Sequence, residues 1–171
     1  RVESPEATIN EAKPFELRAR LGYKGTPILL AAKAPTSLQA ALSGQPWRVA
    51  VDLEQQDGAL ALDVRMPSIE RTEGLEIGVL ATGQRLASWS GIAGRMLPAW
   101  GPYRLAAQSR VLPDGFEFDG LKLSLDGLPT RSPHLEIDTG KLVFGGSEDT
   151  RFSAAGRIGV TPLSLDLDTP W

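Results

Sequence analysis

Pro46-Trp47-Arg48-Val49-Ala50-Val51-Asp52-Leu53-Glu54-Gln55-Gln56-Asp57-Gly58-Ala59-Leu60-Ala61-Leu62-Asp63-Val64-Arg65-Met66 reads as two alternating runs folded about a turn. Trp47, Val49, Val51 and Leu53 fall on one side, Arg48, Asp52 and Glu54 on the other. Leu60, Leu62, Val64 and Met66 return along the second run, with Asp63 and Arg65 outward. A period of two is that of a strand with one buried face. Between the runs, Asp57-Gly58 accepts the positive φ that a type I′ turn demands. The stretch therefore predicts a hairpin that is apolar on one side only.

The opening recurs. Pro14-Phe15-Glu16-Leu17-Arg18-Ala19 and Pro102-Tyr103-Arg104-Leu105-Ala106-Ala107 share the proline, the aromatic and the alternation with Pro46-Trp47-Arg48-Val49-Ala50-Val51. Pro46 to Pro102 and Asp57 to Asp114 span nearly equal distances along the chain. Repetition of a strand-turn-strand unit points to a sheet built by adding similar hairpins. Such a sheet suits a long apolar surface better than a single catalytic cavity.

Further strands are expected at Phe15 to Tyr23, Thr26 to Lys33 and Leu75 to Ala81, and at Tyr103 to Val111 followed by Phe116 and Phe118. Leu135 to Phe144, Phe152 to Ile158 and Leu163 to Leu167 continue the theme, with a loop over residues 145–149. At Asp119-Gly120 the apolar phase moves from even to odd numbers, continuing at Leu121, Leu123 and Leu125, which predicts a β-bulge. A short helix is expected after Pro35, with Thr36 and Gln39 at capping-box spacing and Leu38, Ala41 and Leu42 as its apolar stripe. Gly44 is its stop. A second helix is expected from Gln84 to Leu97, with Leu86, Trp89, Ala93, Met96 and Leu97 on one side. Gly91 and Gly94 weaken it by about 1 kcal/mol each. Residues 1–13 carry no period and read as a lead-in or linker; residues 14–171 read as a single β-rich repeat domain, a fragment of a longer protein. The expected fold is mainly β: a curved, mostly antiparallel meander of roughly ten strands, with two or three short helices.

The chain has 171 residues, 42% hydrophobic and 23% charged, which argues against disorder. A net charge of −3 with scattered cations gives no basic footprint for nucleic acid. The absence of cysteine removes disulfides, zinc-thiolate sites, iron–sulfur clusters and thiol nucleophiles. The longest apolar run, Ile28 to Ala32, is far short of the about 20 residues that span a bilayer.

In order and spacing, several segments resemble the repeat region of AsmA-family proteins. They are the Pro-Phe-x-Leu-x-Ala strand, Gly25-Thr26-Pro27-Ile28-Leu29-Leu30, Pro46 to Leu53, and Gly94-Arg95-Met96-Leu97-Pro98-Ala99-Trp100-Gly101-Pro102-Tyr103-Arg104-Leu105. The likeness runs from Pro14 to Leu125; Leu128-Pro129-Thr130-Arg131-Ser132-Pro133-His134 departs from the family's glycine- and serine-rich crossover. This resemblance implies a periplasmic body tethered to the inner membrane through a segment outside this chain. It also implies a role in Gram-negative outer-membrane biogenesis, and a curved sheet whose apolar side carries lipid.

Catalytic readings fare poorly. His134 is the only histidine and sits beside Pro133, and a Ser-His-Asp triad needs a base beside its nucleophile. Ser90 lacks the glycine that precedes the serine of a nucleophile elbow, and Gly140-Lys141 lacks phosphate-loop spacing. Asp166 and Asp168 share a polar strand face without a calcium loop, so a solvated face is the plainer reading. The Arg18/Arg20 and Arg104/Arg110 pairs read as outward faces that discourage edge pairing before they read as phosphate ligands.

No enzyme activity, metal or cofactor is expected. The function expected is a lipid-transport module that buries acyl chains of phospholipid or lipopolysaccharide. Its groove wall would be Trp47, Val49, Val51, Leu60, Leu62, Leu105, Phe116 and Phe118. In this stretch alone a mainly packed core is favoured, under the Leu86–Leu97 helix and a second layer; in the longer parent, an open groove. The alternative is a structural or interaction module of the envelope that holds other proteins without lipid.

Overall fold

A computed structural model describes residues 2–8, 14–23, 25–68, 73–112, 115–129, 133–145 and 150–169. The fold is mainly β. Eleven strands follow one another: β1 (Val2–Thr8), β2 (Pro14–Tyr23), β3 (Thr26–Ser37), β4 (Trp47–Gln55), β5 (Gly58–Met66), β6 (Glu76–Gly83), β7 (Tyr103–Leu112), β8 (Gly115–Leu125), β9 (Leu135–Gly145), β10 (Thr150–Ile158) and β11 (Thr161–Thr169). They form one sheet in sequence order, each antiparallel to its neighbours, and the sheet is open because β1 and β11 do not meet.

Alternation sets the strands. In β2 the odd positions Phe15, Leu17, Ala19 and Leu21 are half-buried, and the even positions are exposed. In β4, Val49 is buried and Trp47, Val51 and Leu53 half-buried, against the exposed Arg48, Ala50, Asp52 and Glu54. The bulge expected at Asp119-Gly120 is present. Ala106 pairs with Lys122 but Gln108 with Asp119, so β8 carries one extra residue. Gly120 adopts φ +60, and its N–H donates to Asp119 Oδ1 at 2.7 Å. A second irregularity lies between β9 and β10, at Ala155/Gly156.

Several local expectations change. Residues 1–13, read as a lead-in, contain β1, which pairs along β2 from Val2↔Leu21 to Thr8↔Glu16. An edge offers a row of main-chain donors and acceptors, so a strand docks there without a patterned side-chain set. The short helix α1 (Leu38–Leu42) is capped by Ser37, whose Oγ accepts from Ala40 N at 3.2 Å; Thr36 and Gln39 form no capping box. Leu42, expected in its apolar stripe, is exposed.

The helix expected over Gln84 to Leu97 shrinks to a 3₁₀ turn (Leu86–Trp89) and one α-turn, α2 (Ser90–Ala93). Gly94 turns left-handed at φ 69, and Ser90 Oγ takes the N–H of Leu97, leaving Met96 in solvent. The hairpin after β4 closes at Gln55↔Gly58, so its two-residue loop is Gln56-Asp57 and Gly58 already belongs to β5.

The three proline–aromatic openings each start a strand with the aromatic on the apolar face. However, β2 and β4 run one way and β7 the other, so Tyr103 lies at the opposite rim from Phe15 and Trp47. The turn at Pro113-Asp114 and the loop residues 146–149 lie outside the described residues.

Among the described residues no second layer covers the sheet: all eleven strands belong to one open sheet. Among the described residues no large side chain is fully buried. The tightest cluster is Ala32, Ala34 and Val49, with Phe15, Leu17, Trp47, Val51 and Val64 packed against it.

Candidate functional site

Strand register converts the alternation into continuous apolar rows. Leu17, Ala32, Val51, Leu62, Val79 and Ala107 stand opposite one another from β2 to β7. A parallel row runs through Leu30, Leu53, Leu60, Ala81, Leu105, Leu123 and Ile137. All eight expected wall residues lie on this face: three on β4, Leu60 and Leu62 on β5, Leu105 on β7, and Phe116 and Phe118 on β8.

The face is not uniform. At its β2–β4 end it is packed: Val49 is 9% exposed against Ala32 and Ala34, and Trp47 Nε1 is buried without a hydrogen-bond partner. At its β8–β11 end one rim is open, although Leu125, Ile137 and Ala154 of the same strands are buried. Phe116 faces Phe144, exposed at 45% and 43%, and the row Phe118–Leu142–Phe152–Leu167 ends in a leucine that is 55% exposed. Leu142, Phe144, Phe152, Leu165 and Leu167 were not among the expected wall residues. Their alternation was visible in the sequence, but nothing in it showed that this end would lack cover.

One rim is capped by residues 84–102. Trp89 and Tyr103 lie over Gly58 and Gly83, and the indole N–H of Trp89 donates to Tyr103 Oη. Burial pushes the Tyr103 phenol above its ordinary range, partly countered by that bond. Gln55 Nε2 donates to Ser88 Oγ at 3.0 Å, Arg85 holds Asp57 at 2.7 Å, and Gln84 N donates to Asp57 O at 2.9 Å. The excursion is therefore pinned to the β4–β5 turn and covers only that rim.

The opposite face is a lattice of cross-strand ion pairs. Arg48 grips Asp63 with two bonds of 2.7 Å, and Arg65 adds a third at 3.2 Å. Glu76–Arg110, Glu117–Lys141, Glu136–Arg157 and Asp168–Arg151 follow. A hollow of about 140 Å³ is bordered by Asp63, Arg65, Glu76, Arg110, Glu117 and Asp119, whose charges are matched by these pairs and by the Gly120 N–H.

The Arg48 bond holds the Asp63 carboxyl below the ordinary carboxylate range; desolvation opposes it and Arg65 assists. A depressed carboxylate contributes stability that is present above the unfolded value, about 3.9, and lost as pH falls through the lowered one. Melting temperatures measured in steps from neutral to acid should therefore fall less steeply for Asp63→Asn than for the parent chain. Equal slopes would remove Asp63 from the acid transition.

His134 is half-buried between Asp126, at 2.7 Å from Nδ1, and Glu136, at 3.7 Å from Nε2, while its carbonyl accepts from Gly159 N at 2.8 Å. These contacts tie the end of β8 to the start of β9 and to the β10–β11 turn. Among the described residues, no group of three or more histidine and carboxylate side chains is placed to hold a metal ion, and no helix is long and apolar enough to cross a membrane.

Comparison with protein families, with curated proteins and with solved structures finds no match to this chain.

Proposed function

We propose that this chain is a non-enzymatic segment of an AsmA-like periplasmic protein, tethered to the inner membrane and serving outer-membrane biogenesis. In this reading its apolar face takes up acyl chains of phospholipid or lipopolysaccharide. The supporting observation is one apolar face shared by the strands of an open sheet, with no second layer and no large side chain fully buried among the described residues. Soluble domains seldom leave a contiguous apolar patch of more than a few hundred Å² exposed unless something binds it. Each methylene transferred from water to that face contributes about 0.8 kcal/mol, so binding needs no cofactor and no bond-making step.

The open β8–β11 end is the place to test it, because substitutions there leave the packed cluster intact. Native mass spectrometry of the gently purified chain should show bound phospholipid. Phe116→Asp combined with Leu167→Asp should abolish it while the melting temperature stays within a few degrees. A parent chain that carries no lipid as isolated, and takes up none from phospholipid vesicles, would overturn the reading.

A further inference from the structure

Two indoles stand at opposite rims of the apolar face. At one rim, over Gly58 and Gly83, the Trp89 N–H donates to Tyr103 Oη. At the other, where β4 begins, the Trp47 N–H is buried and has no acceptor among the described residues. Buried polar groups of folded proteins nearly always find a partner, and a donor left without one destabilises the fold. The cluster around Trp47, from Phe15 and Leu17 through Ala32, Ala34 and Val49 to Val64, offers no side-chain acceptor. A bridging water would need about two to four polar partners, which these side chains do not provide. The acceptor that suits this place is one carried in on an apolar molecule.

Room and reach agree with that. As a whole residue Trp47 is only half-buried, and it borders a hollow of about 500 Å³ together with Pro35, Pro46, Met66 and Pro67. The charged border of the hollow, Arg48, Arg65 and Glu76, carries both signs and so singles out no headgroup. From Val64, in the Trp47 cluster, one row of the apolar face leads across the sheet through Ile77, Ser109 and Phe118 to Leu142. Paired strands lie about 4.8 Å apart, so the four steps from β5 to β9 span about 19 Å. That is room for one acyl chain, which fills half of a bilayer's hydrocarbon core of about 30 Å.

We propose that Trp47 reads the ester of a bound acyl lipid. Its indole turns toward the hollow and donates the N–H to an ester carbonyl, while the acyl chain follows the row from Val64 to Leu142. This inference rests on lipid binding by the apolar face and adds the chemical class of the ligand: ester-linked acyl lipid in preference to ether-linked lipid.

The test offers the purified chain vesicles made of equal amounts of dioleoyl phosphatidylglycerol and its diether analogue, and identifies the bound lipid by native mass spectrometry. The diester should be captured about tenfold over the diether, a difference of about 1.4 kcal/mol. Trp47→Phe keeps an aromatic ring and loses the N–H, and should bring the ratio close to one with the melting temperature within a few degrees of the parent chain's. Trp89→Phe also deletes an indole N–H, but one with an internal partner, and should leave the preference in place. Equal capture of the two lipids by the parent chain would overturn this inference while lipid binding stands. So would a preference that survives Trp47→Phe or is lost as fully in Trp89→Phe. Capture of neither lipid would overturn the lipid reading itself, and this inference with it.

Discussion

Gly83→Ala should lower the melting temperature by about 10 °C. An added Cβ at Gly83 would stand 2.5 Å from the Tyr103 hydroxyl, 2.6 Å from the Asp57 carbonyl oxygen and 2.7 Å from Tyr103 Cε1. None of these can step aside cheaply. Asp57 O is held by the Gln84 N–H, and Tyr103 is buried beneath Trp89, which donates to it. Overpacking of this kind costs about 1–3 kcal/mol, and a clash with pinned backbone belongs at the upper end. Gly78→Ala, also in β6, is the control: its Cβ would make an ordinary 3.5 Å contact with Asp63 Cβ. Thermal melts of the two variants should separate clearly. If Gly83→Ala melts with Gly78→Ala, the capped rim is looser than described.

Val49→Asp should be the most damaging substitution on the apolar face. Val49 is 9% exposed, enclosed by Ala32 and Ala34, in a cluster with no cation and only the Trp47 indole N–H as a polar side-chain group. An unpaired charge there costs about 3–5 kcal/mol, a large share of the 5–15 kcal/mol that typically holds a domain together. Unfolding free energies from urea titration should collapse for Val49→Asp yet change by less than about 1 kcal/mol for Phe116→Asp, whose site is 45% exposed. Comparable losses would mean that the face is closed over its whole width. The same contrast makes Val49 a probe of stability and Phe116 a probe of binding, although the two look equivalent as members of one alternating pattern.

Much of the architecture was legible because β-structure with one wet face writes its period into the chain. The alternation through Trp47–Leu53 and Leu60–Met66, and the phase change at Asp119-Gly120, each map onto an observed strand or bulge. What escaped depended on contacts remote in sequence. Gly58 looked like a turn residue, but its hydrogen side chain is needed because Trp89 and Tyr103 lie against it. The helical spacing of Leu86, Trp89, Ala93 and Met96 was outweighed by the left-handed Gly94 and by Ser90 claiming the Leu97 N–H. β1 carried no period, and pairing at a strand edge is made by main-chain groups that leave no mark in the side chains. Which end of the apolar face stays open could not be read either: Phe15 and Phe116 begin similar runs, and only register places one beside Ala34 and the other beside Phe144.

Strand order that copies chain order has a further consequence. Each strand pairs only with its predecessor and its successor, so the hydrogen-bonded ladder is one-dimensional, as in a solenoid. Inserting or deleting a whole up-down pair would widen or narrow the molecule and leave every other neighbour unchanged. Losing a single strand would send all later turns to the contrary rim. Evolution can therefore adjust the width of such a surface in steps of two, and the parity of the strand count decides on which side each connecting turn emerges.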